Sequence, residues 1–329
     1  MTKFNKLFFL NFTLAGTMIS ISSFSWFMMW LGMEMNLMSF IPLMKCNSNK
    51  SSEAMSKYFI IQSLASSMLL LSIIMKNNML LNNSQLGDLI MFTSLIMKLG
   101  MAPMHFWLPE VAEGLKWSNC FMLLTWQKIA PFVFMIMSVK NSIMFITSII
   151  LSSLIGSIMG LGQISLRKML AYSSINHMAW MMCSFMNNYI WIIYIVIYTM
   201  TNFNLMFYFS KLKIFYLNHI QTSSNNLFMS LFIMLNFLSL SGLPPLIGFL
   251  PKWLTVLWLV ENNFLMLPLI LIILTLMSIF FYIRVLFPMF LLSQNNKFYF
   301  NKNPINSMFL SFNLMILFSL IFLSWSSWF

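Results

Sequence analysis

Long apolar runs follow one another from Phe8 to Trp328, separated by short polar stretches. Each run is close to the roughly 20 residues that a helix needs to cross a hydrocarbon core. The pattern predicts eleven spans, at about 6–22, 24–44, 54–75, 87–107, 119–138, 142–161, 168–186, 189–210, 226–259, 264–287 and 306–327. The ninth is too long for one straight helix and contains Gly242-Leu-Pro-Pro and Pro251, so a helix broken into two halves is expected there. The fourth carries Gly100 and Pro103 and is a second candidate for such a break. The expected fold class is an all-α polytopic membrane protein.

Composition agrees with that reading. Hydrophobic residues make up 60% of the 329 and charged residues only 7%, against about 25% in a soluble domain. A net charge of +12 would suggest nucleic acid in a soluble protein. Here the basic residues stand singly between apolar runs, without the basic stripe and interleaved aromatics that nucleic acid requires. Their distribution is topological instead. With the N-terminus on the positive side, Lys3, Lys6, Lys45, Lys50, Lys57, Lys116, Arg167, Lys168, Lys211, Lys213, Arg284, Lys297 and Lys302 share one face, and only Lys76 and Lys140 fall on the other. Thirteen against two orients the chain. Lys3 and Lys6 imitate the start of a signal peptide, but no small-residue cleavage site follows, so a first transmembrane helix is expected.

Other chemistry has little support. Cys46, Cys120 and Cys183 lie far apart, with no metal-ligand spacing, and no pair of histidines is spaced for haem or copper. No glycine-rich nucleotide loop is present.

Lys98, Lys128 and Lys252 belong to neither face; they sit inside spans, as does Glu34. Each such charge costs roughly 2.5–3.5 kcal/mol at a helix centre. Four unpaired ones would cost on the order of 10–14 kcal/mol, comparable to the whole stability of a domain. They must therefore face a hydrated or mutually paired interior. Each lysine lies near a proline: Pro103, Pro131 and Pro251. A broken helix frees backbone groups that only water or polar side chains can satisfy inside a membrane. Burial opposes the charged form of a lysine and a nearby carboxylate favours it. A lysine held between those two effects can gain or lose its proton when its partner moves. The alternatives are that the lysines snorkel to an interface or lock helices together; Lys252, followed by Trp253, is the most open to that objection.

In the seventh span, Ser173 and His177 are four residues apart and share a face, with Asn176 adjacent. Two readings stand: a proton relay or an interhelical hydrogen bond. His105 is expected to pack near a membrane edge; Asp88, Glu110, Glu113 and His219 are expected to be solvated loop residues.

Five segments carry a resemblance. In order, they are Trp30-Leu-Gly-Met-Glu-Met-Asn-Leu-Met-Ser-Phe-Ile-Pro42, Lys98-Leu-Gly-Met-Ala-Pro-Met-His-Phe-Trp-Leu-Pro109, Leu124-Thr-Trp-Gln-Lys-Ile-Ala-Pro131, Leu166-Arg-Lys-Met-Leu-Ala-Tyr-Ser-Ser-Ile-Asn-His177 and Leu240-Ser-Gly-Leu-Pro-Pro-Leu-Ile-Gly-Phe-Leu-Pro-Lys-Trp253. Together they resemble the antiporter-like membrane subunits of respiratory NADH:ubiquinone oxidoreductase (complex I) over nearly the whole chain. The resemblance implies two inverted five-helix repeats with broken helices and one final helix, here 1–140, 141–290 and 300–329 of a single membrane domain. It implies a proton relay in which Glu34 pairs with the broken-helix Lys98, Lys128 is the central lysine and Lys252 serves the outlet half, with His177 a further candidate. Ser241 stands where glycine is usual in the family, and Asn176 and Ala179 replace small residues. Proton translocation would be driven by electron transfer on other subunits, which hold NADH, flavin, iron–sulfur clusters and ubiquinone; this chain would carry no cofactor and no metal. Its partners would be other membrane-arm subunits, including antiporter-like chains, and lipids, with no nucleic acid. A structural subunit without its own proton path and a free-standing cation/proton antiporter are the competing readings.

The 35 Met and 35 Phe, with abundant Asn and Ile and only 10 Gly, resemble the product of a strongly A+T-biased gene, as in arthropod mitochondrial genomes. In a mitochondrion the positive side is the matrix, so a multi-pass inner-membrane protein with its N-terminus in the matrix is expected.

Overall fold

The computed structural model describes residues 3–46, 48–77, 84–138, 142–185, 187–219, 227–244 and 246–293. The expected eleventh span, 306–327, and Lys140, Lys297 and Lys302 lie outside the described residues. Among the described residues the architecture is all-helical, with one isolated antiparallel bridge between Ser165 and Tyr216. The chain divides into two compact units, Met1–Ser152 and Ser153–Phe329. It passes from one to the other within a single helix.

The first unit holds α1 (Lys3–Ser22), α2 (Trp26–Met44), α3 (Asn49–Asn77), α4 (Ser84–Leu99), α5 (Trp107–Gly114), α6 (Trp117–Leu124) and α7 (Trp126–Ser138), and ends within α8 (Ser142–Leu161). Helices α1 and α2 form a hairpin of very close approach. A Cβ on Gly32 would stand 2.7 Å from both the Gly16 carbonyl oxygen and the Ser20 amide nitrogen. Only a small residue fits such a contact, a common solution for helices that cannot rely on hydrophobic exclusion to bring them together. In-helix hydroxyls turn back onto their own backbone: Thr13, Thr17 and Ser20 donate to the carbonyls three residues earlier at 2.7–2.8 Å.

The second unit continues through α9 (Leu166–Ser184), α10 (Asn188–Leu212), α11 (Leu227–Ser241), α12 (Phe249–Glu261) and α13 (Met266–Ser293). Helix α9 is buried nearly throughout and packs against α10, α12 and α13. Arg284 of α13 donates to the carbonyls of Leu161 and Gln163, closing the C-terminal end of α8 with a cation where the helix dipole is negative.

Both predicted breaks are present. The fourth span stops at Leu99, Gly100 takes φ +70°, and α5 resumes at Trp107. The ninth stops at Ser241, Gly242 takes φ +79°, and α12 resumes at Phe249. Both glycines lie in the left-handed region that residues with a Cβ avoid.

Several expectations are corrected. The fifth span, read as one helix over 119–138, is two, α6 and α7, separated at Thr125. Pro131 has no N–H to offer the preceding turn, and the Thr125 hydroxyl donates to the Phe121 carbonyl at 2.7 Å, so the ladder is weakened from both sides. Glu110 and Glu113 lie on α5 rather than in a loop, paired with Lys57 at 2.6 Å and Lys50 at 3.3 Å. Asp88 is likewise helical, in α4, and forms an ion pair with Lys76. Seven described helices or helix pairs are long and apolar enough to cross a membrane, among them Trp117–Ser138 taken as one.

Candidate functional site

The in-span charges of the first unit converge. Lys98 lies in the last turn of α4, immediately before the break, and its ammonium is 3.8 Å from Glu34 Oε1 on α2. That separation is an ion pair but too long for a direct hydrogen bond. The carbonyl of Lys98, which the break leaves without a helical donor, accepts from Gln62 Nε2 at 3.2 Å. Lys128 lies in the first turn of α7, below the break at Thr125, and its amide donates to the Thr125 carbonyl at 3.2 Å. Lys98 and Lys128 are both buried, at 7% and 5% exposure.

The two lysines line one cavity of about 20 Å³ together with Asn36, Tyr58, Gln62 and Gln127. A cavity of that size has room for about one water. Gln127 Nε2 donates to Asn36 Oδ1 at 2.9 Å, so the residue before Lys128 is tied to the helix that carries Glu34. Interior polar groups in a membrane protein mark ion and proton paths because they are costly to place there. Tyr58, Gln62 and Gln127 were not singled out from sequence. Gln62 is a polar residue inside an apolar run, a signal of the same kind as Glu34 without the charge.

In the second unit Lys252 lies in the first turn of α12 and is buried at 7% exposure. It does not snorkel. Its ammonium donates to the Ser241 carbonyl at 2.8 Å, across the break in the ninth span, and sits 5.9 Å from the ring centre of the buried Trp180. His177 is also buried, with Nδ1 2.9 Å from the Tyr194 hydroxyl and its ring 5.2 Å from that of Tyr198. Those three side chains line a cavity of about 10 Å³, with Thr201, Ser239 and Pro251, that borders the same break. Ser173 donates back to Leu170 within its own helix, so its polar face is turned partly onto the backbone. His105 packs as expected, buried with its ring tilted against that of Phe106, centres 4.2 Å apart, and with Nδ1 3.2 Å from the Pro103 carbonyl.

Each unit thus carries a helix broken in mid-span, a buried lysine at the break and a small cavity beside it. Unwound backbone next to an ionisable side chain is how many membrane transporters build ion sites. Residues 23–280 match the family described as NADH:quinone oxidoreductase/Mrp antiporter, TM. The fold also resembles a chain of respiratory complex I from Thermus thermophilus, with a TM-score of 0.81 at 21% identity over 88% of this chain and 71% of that one. A chain of an archaeal membrane-bound sulfane sulfur reductase gives 0.78 at 15% identity, over 94% and 71% of the two chains. These place the chain in the antiporter-like class of membrane subunits.

Sequence narrows the class. The chain is 43% identical to NADH-ubiquinone oxidoreductase chain 2 of Anopheles gambiae over 324 residues, 96% of this chain and 94% of the relative. It is 39% identical to that of Locusta migratoria, over 95% and 94% of the two chains. The chain belongs to the NADH-ubiquinone oxidoreductase chain 2 family and is thus a multi-pass membrane subunit of respiratory complex I.

Proposed function

We propose that this chain translocates protons across the mitochondrial inner membrane by a relay of Glu34, Lys98, Lys128 and Lys252, in which the three lysines carry the proton and Glu34 biases Lys98, with His177 as a further relay group. The carrying observation is that Lys98, paired with Glu34 at 3.8 Å, shares a polar cavity with Lys128 in a chain of this family. The break after Lys98 supplies the mechanics. Gln62 holds the freed carbonyl, so a small movement of α2 against α4 changes the distance from Glu34 to Lys98 without unravelling the helix. When the carboxylate is close, the ammonium is favoured; when it withdraws, burial drives the proton toward the next acceptor, through the cavity to Lys128.

On this reading the driving reaction, electron transfer from NADH to ubiquinone, belongs to other subunits of the complex, and this chain holds no redox cofactor. Its neighbours are other membrane-arm subunits, antiporter-like ones included. On this reading residues 1–140 and 141–290 are the two inverted five-helix repeats, with 300–329 a final helix, and the N-terminus faces the matrix. Lys50 and Lys57, at the start of the third span, and Arg284, near the end of the tenth, all fall on the positive side of that sequence topology, which supports the orientation.

Substituting Lys128 by Met tests the relay directly, since Met keeps the apolar stem and removes the proton carrier. The complex is expected to assemble, oxidise NADH slowly and translocate few protons per NADH consumed. A Lys128→Met complex that assembles and pumps normally overturns the relay reading and leaves the lysines as packing locks. Protease accessibility in mitoplasts tests orientation; an N-terminal tag cleaved from the intermembrane-space side would reverse it.

A further inference from the structure

The second break differs from the first in what closes it. In the first unit an uncharged amide, Gln62, caps the carbonyl at the end of α4. In the second unit the cap on the Ser241 carbonyl at the end of α11 is the Lys252 ammonium itself. The C-terminal end of a helix carries partial negative charge, so a cation placed there is held by both a hydrogen bond and the dipole. The Trp180 ring face supplies a further attraction to the same ammonium.

Gly242 makes that geometry available. The lysine stem lies directly over its α-carbon. A Cβ at position 242 would stand 2.8 Å from both Cδ and Nζ of Lys252 and 3.1 Å from Cε. Non-bonded carbons settle at about 3.5–4.0 Å, so any side chain at 242 would displace the ammonium from the Ser241 carbonyl. The left-handed φ of Gly242 explains why the chain turns there, but it does not explain why the space above it is filled by Lys252. Gly248, six residues later, serves packing alone: a Cβ there would fall 1.7 Å from the Ser239 carbonyl oxygen, on backbone rather than on the lysine.

We propose that Gly242 is a positioning residue for proton transfer at Lys252: by having no side chain it seats the ammonium on the C-terminal carbonyl of the half-helix α11. The charge of Lys252 and the closure of the break are then one event. Loss of the proton weakens the cap and loosens the end of α11, and regaining it closes the break again. This rests on the proposed relay role of Lys252.

The test is a double-substitution cycle in the assembled complex, with protons translocated per NADH oxidised and complex assembly as readouts. Gly242→Asn is the informative variant, because Asn tolerates a left-handed φ better than other residues yet carries the Cβ that meets the lysine. Its expected pumping falls to the level of Lys252→Ala, and the double variant Gly242→Asn/Lys252→Ala is no worse than either alone. If Gly242→Asn blocks assembly, the double variant is expected to restore it, since trimming the stem removes the clash. The proposal is overturned if Gly242→Asn pumps like the unaltered complex, if the two losses add, or if trimming Lys252 fails to rescue an assembly defect. Normal pumping by Lys252→Ala alone would instead remove the relay role of Lys252, a distinct outcome from failure at Gly242.

Discussion

Lys98 and Glu34 face each other at 3.8 Å between the last turn of α4 and the middle of α2, inside the first unit. The pair is unequal: the lysine side chain is 3% exposed and the carboxylate 20%. At an effective dielectric near 20, unit charges about 4 Å apart attract by roughly 4 kcal/mol before desolvation is counted. That is large against thermal energy, and each ångström of added separation weakens it by about 1 kcal/mol. The carboxylate can therefore govern the proton on Lys98 without ever carrying it.

The two partners are expected to respond differently to neutralisation. Lys98→Met removes the carrier and should abolish most proton-coupled turnover. Glu34→Gln removes only the bias and should lower turnover more mildly, while the complex still assembles. The check is NADH oxidation and proton uptake measured together in inner-membrane vesicles. Equal losses from the two substitutions would mean that Glu34 is itself a station on the path.

Gln62 is expected to matter more than an uncharged residue usually does. Gln62→Leu replaces the amide with aliphatic bulk and leaves the buried Lys98 carbonyl without its donor. An orphaned buried acceptor costs about 1–3 kcal/mol. The end of α4 should loosen, lowering the thermal stability of the complex and also blunting proton translocation, because the lysine is anchored by the same turn. Gln62→Glu, which keeps the shape but offers no amide donor and places a second carboxylate near Lys98, should be worse for pumping than Gln62→Leu.

The breaks at Gly100 and Gly242 were legible because glycine and proline interrupt otherwise continuous apolar runs. The buried lysines and Glu34 were legible because a charge in such a run has no cheap explanation. The break at Thr125 was not, since it depends on how the missing N–H of Pro131 and the Thr125 hydroxyl together weaken the ladder. Nor was the cavity. Gln62 meets the Lys98 carbonyl across 36 positions and Gln127 meets Asn36 across 91, separations that hydropathy does not connect. The hydrogen bond between His177 and Tyr194 is of the same kind: the sequence places His177 on a polar face but does not say which helix supplies its partner.

The hairpin of α1 and α2 is expected to be intolerant of bulk. Gly32 has no room for a Cβ against backbone atoms of Gly16 and Ser20, and backbone cannot move aside as a side chain can. Gly32→Val should separate the two helices and shift α2, and with it Glu34 two residues on. Loss of assembled complex on native gels is the expected result. Assembly at the normal level, with normal pumping, would show that the hairpin can repack without disturbing the Glu34–Lys98 pair.

Charge alone should not predict sensitivity; position should. Lys57 and Glu110 form the shorter of the two ion pairs that join α3 to α5, at 2.6 Å, but both side chains are about half exposed. Exposed pairs contribute little because water screens them and ordering two long side chains opposes the gain. Removing both charges together, as Lys57→Met/Glu110→Gln, should leave assembly and the ratio of protons to NADH unchanged. Raising the salt concentration should have equally little effect on the unaltered complex through this pair. Lys98 and Glu34 are a longer pair, and neutralising either should be far more damaging. The comparison separates a relay from a set of structural clamps, because clamps would rank by the closeness of their contacts and a relay ranks by burial and by access to the cavity. A complex in which the Lys57/Glu110 double substitution costs as much pumping as Lys98→Met would place the coupling at the helix ends and take it away from the buried pair.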